Sequence, residues 1–139
     1  MKVIIINGPN LNLLGKRNID IYGNVNFEDY FRLLKSNFQS IKLDYYQSNV
    51  EGEIINKLQE VGYSYNFIII NAGGYSHSSV AIADAIEAID TPVIEVHISN
   101  IYAREDFRQK SLLSTYCHSC IIGCGLQGYQ LALNYLLKI

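Results

Sequence analysis

Two pairs of side chains in this sequence have the types and spacing that proton transfer requires. In the first, Glu95 and His97 are separated by one residue, so on a regular strand both side chains lie on the same face. A carboxylate beside an imidazole orients the ring and favours its protonated form, which makes His97 a candidate general acid. The same spacing also fits a purely structural hydrogen bond, and the pair alone leaves both interpretations open.

The second pair, Tyr22 and Arg17, lies in a polar segment, residues 7–23, that follows an apolar run. A free tyrosine has a pKa near ~10 and is a poor base at neutral pH, but a neighbouring guanidinium favours the phenolate. The chain has 11 tyrosines, so a tyrosine near an arginine carries little weight alone. Together with His77, Arg104 and Arg108, these groups suit proton transfer on a small polar anion.

The elements that position these residues alternate between apolar strands and helices with helical apolar spacing. We predict strands at residues 3–6, 41–46, 67–70, 93–96 and 119–122, and helices at residues 27–40, 52–62, 80–89, 103–108 and 129–137. Such alternation implies right-handed crossovers and a parallel sheet. The predicted fold is α/β, a flavodoxin-like three-layer sandwich with a five-stranded sheet of order 2-1-3-4-5.

Polar residues follow the first, third and fourth predicted strands, where the carboxyl ends of parallel strands meet. In open α/β sheets, ligands bind beyond these ends, at the point where the strand order reverses. Residues 7–23 are long for a connection in a compact domain, which is typical of a lid or binding loop. We therefore expect the polar clusters to converge on one crevice.

Composition limits the class of protein. The 139 residues are 49% hydrophobic, which fits a single domain spanning residues 1–139. With 11 basic and 13 acidic residues, the chain lacks a broad basic footprint for nucleic acid. No apolar run reaches the ~18 residues that span a bilayer, and the first residues lack the features of a signal peptide. We expect no nucleic acid or membrane partner, and a cytoplasmic protein.

Two motifs resemble cofactor sites. Cys117, Cys120 and Cys124 with His118 could in principle hold zinc, but they fall within eight residues instead of clamping two segments. We expect free, buried thiols and no metal. Residues 123–128 read G-x-G-x-x-G, but the chain ends before the acidic residue of a dinucleotide site, and we expect no cofactor.

Several blocks together resemble type II 3-dehydroquinate dehydratase, in the order and spacing of that family and over nearly the whole chain. They are residues 7–15 (NGPNLNLLG) with Arg17 and Tyr22, 47–52 (QSNVEG), 71–81 (NAGGYSHSSVA), 95–100 (EVHISN) with Arg104 and Arg108, and 123–129 (GCGLQGY). The resemblance implies a flavodoxin-like subunit and a site without metal or cofactor. It also implies a dodecamer built as four trimers.

The implied reaction is anti elimination of water from 3-dehydroquinate, giving 3-dehydroshikimate in the shikimate pathway. By the resemblance, Tyr22 takes the proton from the carbon beside the ketone. Arg17 promotes the phenolate and stabilises the transition state, and Asn10 helps to hold a water on the enolate oxygen. His97, oriented by Glu95, protonates the departing hydroxyl.

The resemblance also implies the substrate-binding residues. Asn71, Ile98 and Ser99 match positions that bind the substrate carboxylate, and His77 and Arg108 match positions that hold ring hydroxyls. Asp84 matches a residue that reaches the site of a neighbouring subunit.

Two positions depart from the family pattern. Asn18-Ile19 stands where Glu-Pro usually follows Arg17, and we expect a looser lid. Ala83 stands where the family carries an arginine, so the subunit interface is expected to differ. The alternative class is a non-catalytic flavodoxin-like module that binds a small carboxylate or a partner protein.

Overall fold

The computed structural model describes residues 1–16 and 18–139. Five parallel strands form one sheet in the order β2-β1-β3-β4-β5. Their bounds are β1 Lys2–Asn7, β2 Lys42–Gln47, β3 Phe67–Asn71, β4 Val93–His97 and β5 Ser119–Ile122. The predicted fold class and strand order are confirmed, and each strand boundary lies within one residue of its prediction.

Helices cover both faces of the sheet. They are α1 Ile19–Tyr22, α2 Phe27–Asn37, α3 Glu51–Val61, α4 Val80–Ala88 and α5 Gln127–Leu136. Because successive side chains of a strand point to opposite faces, Val3 and Ile5 of β1 pack with residues of α2 and α5, while Ile4 and Ile6 pack with residues of α3 and α4. No helix in the described part of the chain is long and apolar enough to cross a membrane.

Side chains cap the starts of two helices, α2 and α4. The Asn26 side chain accepts a hydrogen bond from the Asp29 N–H at the start of α2. Ser79 caps α4 in the same way, through the Ile82 N–H.

The ends of β1 and β3 approach each other closely at the switch point. Asn7 is paired in register with Asn71, and the Gly8 N–H donates to the Asn71 carbonyl at 2.7 Å. A Cβ at Gly8 would lie 2.5 Å from the Ala72 carbonyl oxygen, a distance that real Cβ atoms do not reach. Glycine at this position therefore allows the two polar turns to meet.

The predicted short helix at residues 103–108 is wrong. Two separate 3-10 turns, Ile101–Ala103 and Asp106–Arg108, take its place. Arg104 lies between them with φ −113° and ψ −170°. This extended conformation interrupts the helical path and frees the Arg104 side chain to reach the neighbouring loop.

Candidate active site

One pocket lies at the carboxyl ends of β1, β3 and β4, as the strand order predicts. Its wall includes eight of the residues predicted for the site: Asn10, Tyr22, Asn71, His77, His97, Ile98, Ser99 and Arg108. Arg104 also lines it, together with apolar side chains such as Leu11 and Leu14. Arg17, another predicted catalytic residue, lies outside the described residues.

The imidazole of His97 contacts a fully buried carboxylate. Nε2 of His97 lies 2.7 Å from Oε1 of Glu95, and both side chains are on the face of β4 that their spacing predicted. Burial by itself raises the pKa of Glu95, but hydrogen bonds from His97, Ser111 and Ser114 outweigh it and hold that pKa well below its usual range. Glu95 is therefore ionised at neutral pH.

The charge on Glu95 settles the tautomer of His97. An ionised carboxylate can only accept hydrogen bonds, so Nε2 of His97 is the donor and carries a hydrogen. Nδ1 is then the ring nitrogen that can exchange a proton with a molecule in the pocket. Glu95 itself does not line the pocket and acts through His97.

Two hydroxyls fix the Glu95 carboxylate from the other side. Ser111 Oγ donates to Oε1 and Ser114 Oγ donates to Oε2, each at 2.5 Å. The Cys120 thiol also points at Oε2, with a sulfur–oxygen distance of 3.4 Å. The carboxylate thus has donors on both oxygens, which is what a buried charge requires.

The phenol of Tyr22 contacts a guanidinium. Tyr22 ends α1, a single helical turn in the loop between β1 and α2, and Nη1 of Arg104 donates to its hydroxyl at 2.9 Å. The same nitrogen donates to Ser99 Oγ at 3.3 Å. The guanidinium places a fixed positive charge against the phenol oxygen, where it can stabilise negative charge that develops during a reaction.

The loop that carries Tyr22 is attached at two places. Leu11 and Leu14 are buried in the core, which confirms that the loop is not a solvated tail. Asn10 adopts a left-handed backbone conformation with φ 69°, and its N–H donates to Oδ1 of Asn49 at 3.0 Å. Asn49 also accepts from Nε2 of Gln47, so the turn after β2 holds the turn after β1.

Two further predicted residues have fixed orientations. Nδ1 of His77 contacts the Lys110 carbonyl at 2.8 Å, and its ring lies 5.9 Å from that of His97, centroid to centroid. Arg108 donates through Nε to Glu105 at 2.9 Å and keeps its side chain about a quarter exposed at the mouth of the pocket. Arg104 and Arg108 make the described wall favourable for an anion.

Asp84 does not reach this pocket within its own chain. It is exposed on α4, next to Ala83, which is buried against the sheet. An exposed Asp84 is available to a second subunit, and its predicted role there stays a prediction.

The expectation of buried thiols is wrong for two cysteines. Cys120 and Cys124 are exposed and Cys117 is half-buried. Cys120 lies in β5, an edge strand whose residues are incompletely covered, and Cys124 lies in the turn that follows it. All three are free. The described residues contain no group of three or more His, Cys, Asp or Glu side chains that could hold a metal ion.

Sequence reasoning missed the roles of Ser111, Ser114 and Tyr129, and it gave Arg104 no specific contact. The sequence held one indication of the serine contacts, because a carboxylate in a central strand needs several hydrogen-bond donors. Because the serines are far from Glu95 along the chain, the sequence did not show which residues supply these donors. The sequence likewise could not show which of several arginines faces Tyr22.

The chain is similar to known proteins over almost its full length. Residues 1–137 match the profile of the family described as Dehydroquinase class II. A protein named 3-dehydroquinate dehydratase from Campylobacter jejuni subsp. jejuni is 50% identical, covering 100% of this chain and 89% of the relative. A protein of the same name from Clostridium botulinum is 48% identical, covering 98% of this chain and 94% of the relative.

Solved structures agree with the sequence comparison. The crystal structure of type II dehydroquinase from Butyrivibrio crossotus superposes with a TM-score of 0.94 at 45% identity, covering 99% of this chain and 97% of the other. The corresponding enzyme from Propionibacterium acnes gives a TM-score of 0.95 at 36% identity, with the same coverage. On the fold, the pocket and these matches, the chain belongs to the class II dehydroquinase family.

Proposed function

We propose that this chain is a 3-dehydroquinate dehydratase, a hydro-lyase that converts 3-dehydroquinate to 3-dehydroshikimate and so serves the shikimate pathway. One observation supports this most strongly. The pocket pairs a phenol held against a guanidinium with an imidazole held against a buried, ionised carboxylate. These are a base and an acid on separate elements, as elimination of water from opposite sides of a ring requires.

Tyr22 is the base in this proposal. As the phenolate it takes a proton from the carbon beside the ketone, and the electron pair left behind is delocalised onto the ketone oxygen as an enolate. Arg104, which contacts the phenol, supports the charged form. We assign Arg17 the same electrostatic role and the stabilisation of the transition state, on the resemblance to the family alone. Asn10 helps to hold a water on the enolate oxygen.

His97 is the acid. The enolate collapses to form the carbon–carbon double bond, the carbon–oxygen bond of the hydroxyl breaks, and His97 supplies the proton with which the hydroxyl leaves as water. The ionised Glu95 stabilises the imidazolium before this transfer and orients the ring throughout. An enolate needs preorganised donors near its oxygen, and the asparagine-rich turns at the pocket provide such groups.

The remaining predicted residues bind the substrate. Asn71, Ile98 and Ser99 hold the carboxylate, the last two partly through backbone N–H groups, while His77 and Arg108 hold ring hydroxyls. All five line the pocket, which supports these assignments. Every proton in the proposed reaction moves between substrate, side chains and water, so we propose that the enzyme works without metal or cofactor.

Beyond the reaction, we propose one catalytic domain spanning residues 1–139, a cytoplasmic location and a homododecamer of four trimers. Free thiols fit a reducing compartment. Large apolar side chains exposed near the pocket, Tyr102 and Phe107 among them, are available for contacts between subunits. Asp84 would then contribute to the site of a neighbouring subunit.

The test is to mix purified protein with 3-dehydroquinate and follow the absorbance of the enone product. A steady rise in absorbance that scales with protein concentration is expected. Heat-denatured protein is the control. Binding of 3-dehydroquinate by calorimetry with no product formed would favour the non-catalytic module and contradict the proposed function.

A further inference from the structure

A chain of buried hydrogen bonds connects Asn71 to the core beneath the pocket. Nδ2 of Asn71 donates to the Tyr129 hydroxyl at 3.0 Å, and that hydroxyl donates to Oδ1 of Asn7 at 2.8 Å. On its other side, Oδ1 of Asn71 accepts from the Gly73 N–H at 3.1 Å. Asn7 and Tyr129 are fully buried and Asn71 is 4% exposed, so water does not compete for these bonds.

The direction of each bond is determined by chemistry. Oδ1 of Asn7 can only accept, so the single hydroxyl hydrogen of Tyr129 is committed to it. The Tyr129 oxygen then faces Asn71 as an acceptor, which requires the Asn71 nitrogen on that side. Burial raises the pKa of Tyr129, so the phenol keeps its proton at any working pH.

We infer that Tyr129 is a positioning residue which, together with Asn7, fixes the amide of Asn71 so that its remaining N–H is presented to the pocket. Asn71 then meets a ligand only as a donor, which matches a carboxylate acceptor. This role rests on the proposed function, in which Asn71 binds the carboxylate of 3-dehydroquinate.

The packing of α5 explains how Tyr129 reaches this place. Gly128, the residue before it, lies against β4, and a Cβ there would be 3.1 Å from Cγ1 of Val96. The absent side chain allows the start of α5 to approach the sheet closely. The final glycine of the G-x-G-x-x-G run thus helps to place a buried phenol, a use unrelated to nucleotide binding.

The test compares Tyr129→Phe with Tyr30→Phe. Tyr30 is a matched control because its hydroxyl donates to the Leu126 carbonyl at 2.6 Å and its ring lies 6.3 Å from the Tyr129 ring. Tyr129→Phe should raise KM by about tenfold with kcat little changed, as expected for loss of binding that is equal in ground and transition states. Tyr30→Phe should leave KM unchanged, whatever each variant does to the melting temperature.

Asn71→Ala provides the second arm. If Tyr129 acts through Asn71, Tyr129→Phe has no further effect on KM in the Asn71→Ala background. Equal KM values for Tyr129→Phe and Tyr30→Phe, or additive effects with Asn71→Ala, would overturn the inference. If Tyr129→Phe does not fold, Asn7→Ala replaces it, since removing the acceptor frees the hydroxyl to turn, and an unchanged KM there would also overturn it.

Crystal structures test the positioning role of Tyr129 even if the proposed dehydratase activity is wrong. Wild type that forms no product contradicts the dehydratase activity. In that case the Asn71 side chain in crystals of wild type and Tyr129→Phe still decides the positioning role. A turned amide in the variant supports it, and an unchanged one overturns it.

Discussion

The proposed acid and base in this pocket each contact a charged neighbour among the described residues. Arg104 contacts the hydroxyl of Tyr22, and the ionised Glu95 contacts Nε2 of His97. In each pair the neighbour carries the charge opposite to the one that the proposed reaction develops, negative on the phenol and positive on the imidazole. The proposed chemistry therefore involves two contacting pairs, and losing either partner should affect the rate.

Tyr22→Phe should abolish most of the activity while the chain still folds. The substitution removes the proposed proton acceptor, and loss of a positioned base lowers kcat by roughly 10²–10⁴-fold. The ring stays in place, so circular dichroism and oligomeric state should match wild type. A folded Tyr22→Phe protein with near-normal turnover would show that another group is the base.

The two serines behind Glu95 should control stability in a pH-dependent way. The folded-state pKa of Glu95 is lowered, so its contribution is present above the unfolded value of 4.5 and is lost as pH falls toward the lowered pKa. The double variant Ser111→Ala/Ser114→Ala removes two of the donors that stabilise the Glu95 carboxylate. We expect it to lower the free energy of unfolding by about 1–3 kcal/mol for each lost donor. The melting-temperature deficit of this variant should therefore be large at pH 7 and shrink below pH 4.5.

Thr115→Ala is the control for this measurement, because Thr115 directly follows Ser114 and is exposed. It should melt like wild type at every pH. A deficit for the double variant that is the same at pH 7 and at pH 3 would mean that the serines act through packing, not through the charge on Glu95.

At the scale of elements, the site depends on how closely the turns after β1 and β3 meet. The Gly8 N–H is bonded to the Asn71 carbonyl, and the Gly8 carbonyl accepts from Nε2 of Gln47. Three neighbouring strand ends are joined at this one residue. Asn10 and Asn71 are placed in the pocket by these turns, so the spacing of the backbone there sets the shape of the site.

Gly8→Ala should lower the melting temperature, because its Cβ would collide with the backbone of Ala72. Overpacking of this kind costs typically 1–3 kcal/mol, and each 1 kcal/mol lowers the melting temperature of a domain of this size by about 3–6 °C. Gly52→Ala is the matched control, since no atom lies within 4 Å of a Cβ there and α3 should gain about 0.4–1 kcal/mol. Equal melting temperatures for the two variants would contradict the close approach.

The elements that could be predicted from sequence were those with strong local signals. The apolar runs gave every strand, and the alternation of strands and helices gave the sheet order and the crevice. What escaped prediction depends on contacts between distant parts of the chain. Ser111 meets Glu95, Arg104 meets Tyr22 and Tyr129 meets Asn71 only after folding. The extended conformation of Arg104 likewise reflects its contacts with the pocket, not local helix propensity.

At the scale of the whole molecule, the proposed assembly would bring a second subunit to α4. Asp84 was predicted to bind a neighbouring subunit's substrate, and it is exposed on α4. Ala83 beside it is buried in its own chain and adds no charge to a subunit contact. An interface at this helix would therefore depend on Asp84 and not on the residue before it.

Asp84→Ala should weaken both assembly and turnover while each subunit still folds. A lost acceptor in a buried contact leaves its donors unsatisfied, at about 1–3 kcal/mol each. Sedimentation of wild type and Asp84→Ala, with activity measured on each species, tests this. Glu87→Ala, one turn further along the same exposed side of α4, is the control. Wild type that is a fully active monomer would contradict the proposed assembly.

The stereochemistry of elimination is the most direct measure of whether Tyr22 and His97 work from separate sides of the substrate. Two samples of 3-dehydroquinate are prepared, each with one deuterium on the carbon between the ketone and the leaving hydroxyl, on one face or the other. Mass spectrometry of the product then reports which hydrogen the enzyme removes, with a buffer-only incubation correcting for spontaneous exchange. Anti elimination predicts that deuterium is lost only when it lies on the face opposite the departing hydroxyl. Loss of deuterium from the same face as the hydroxyl would contradict it.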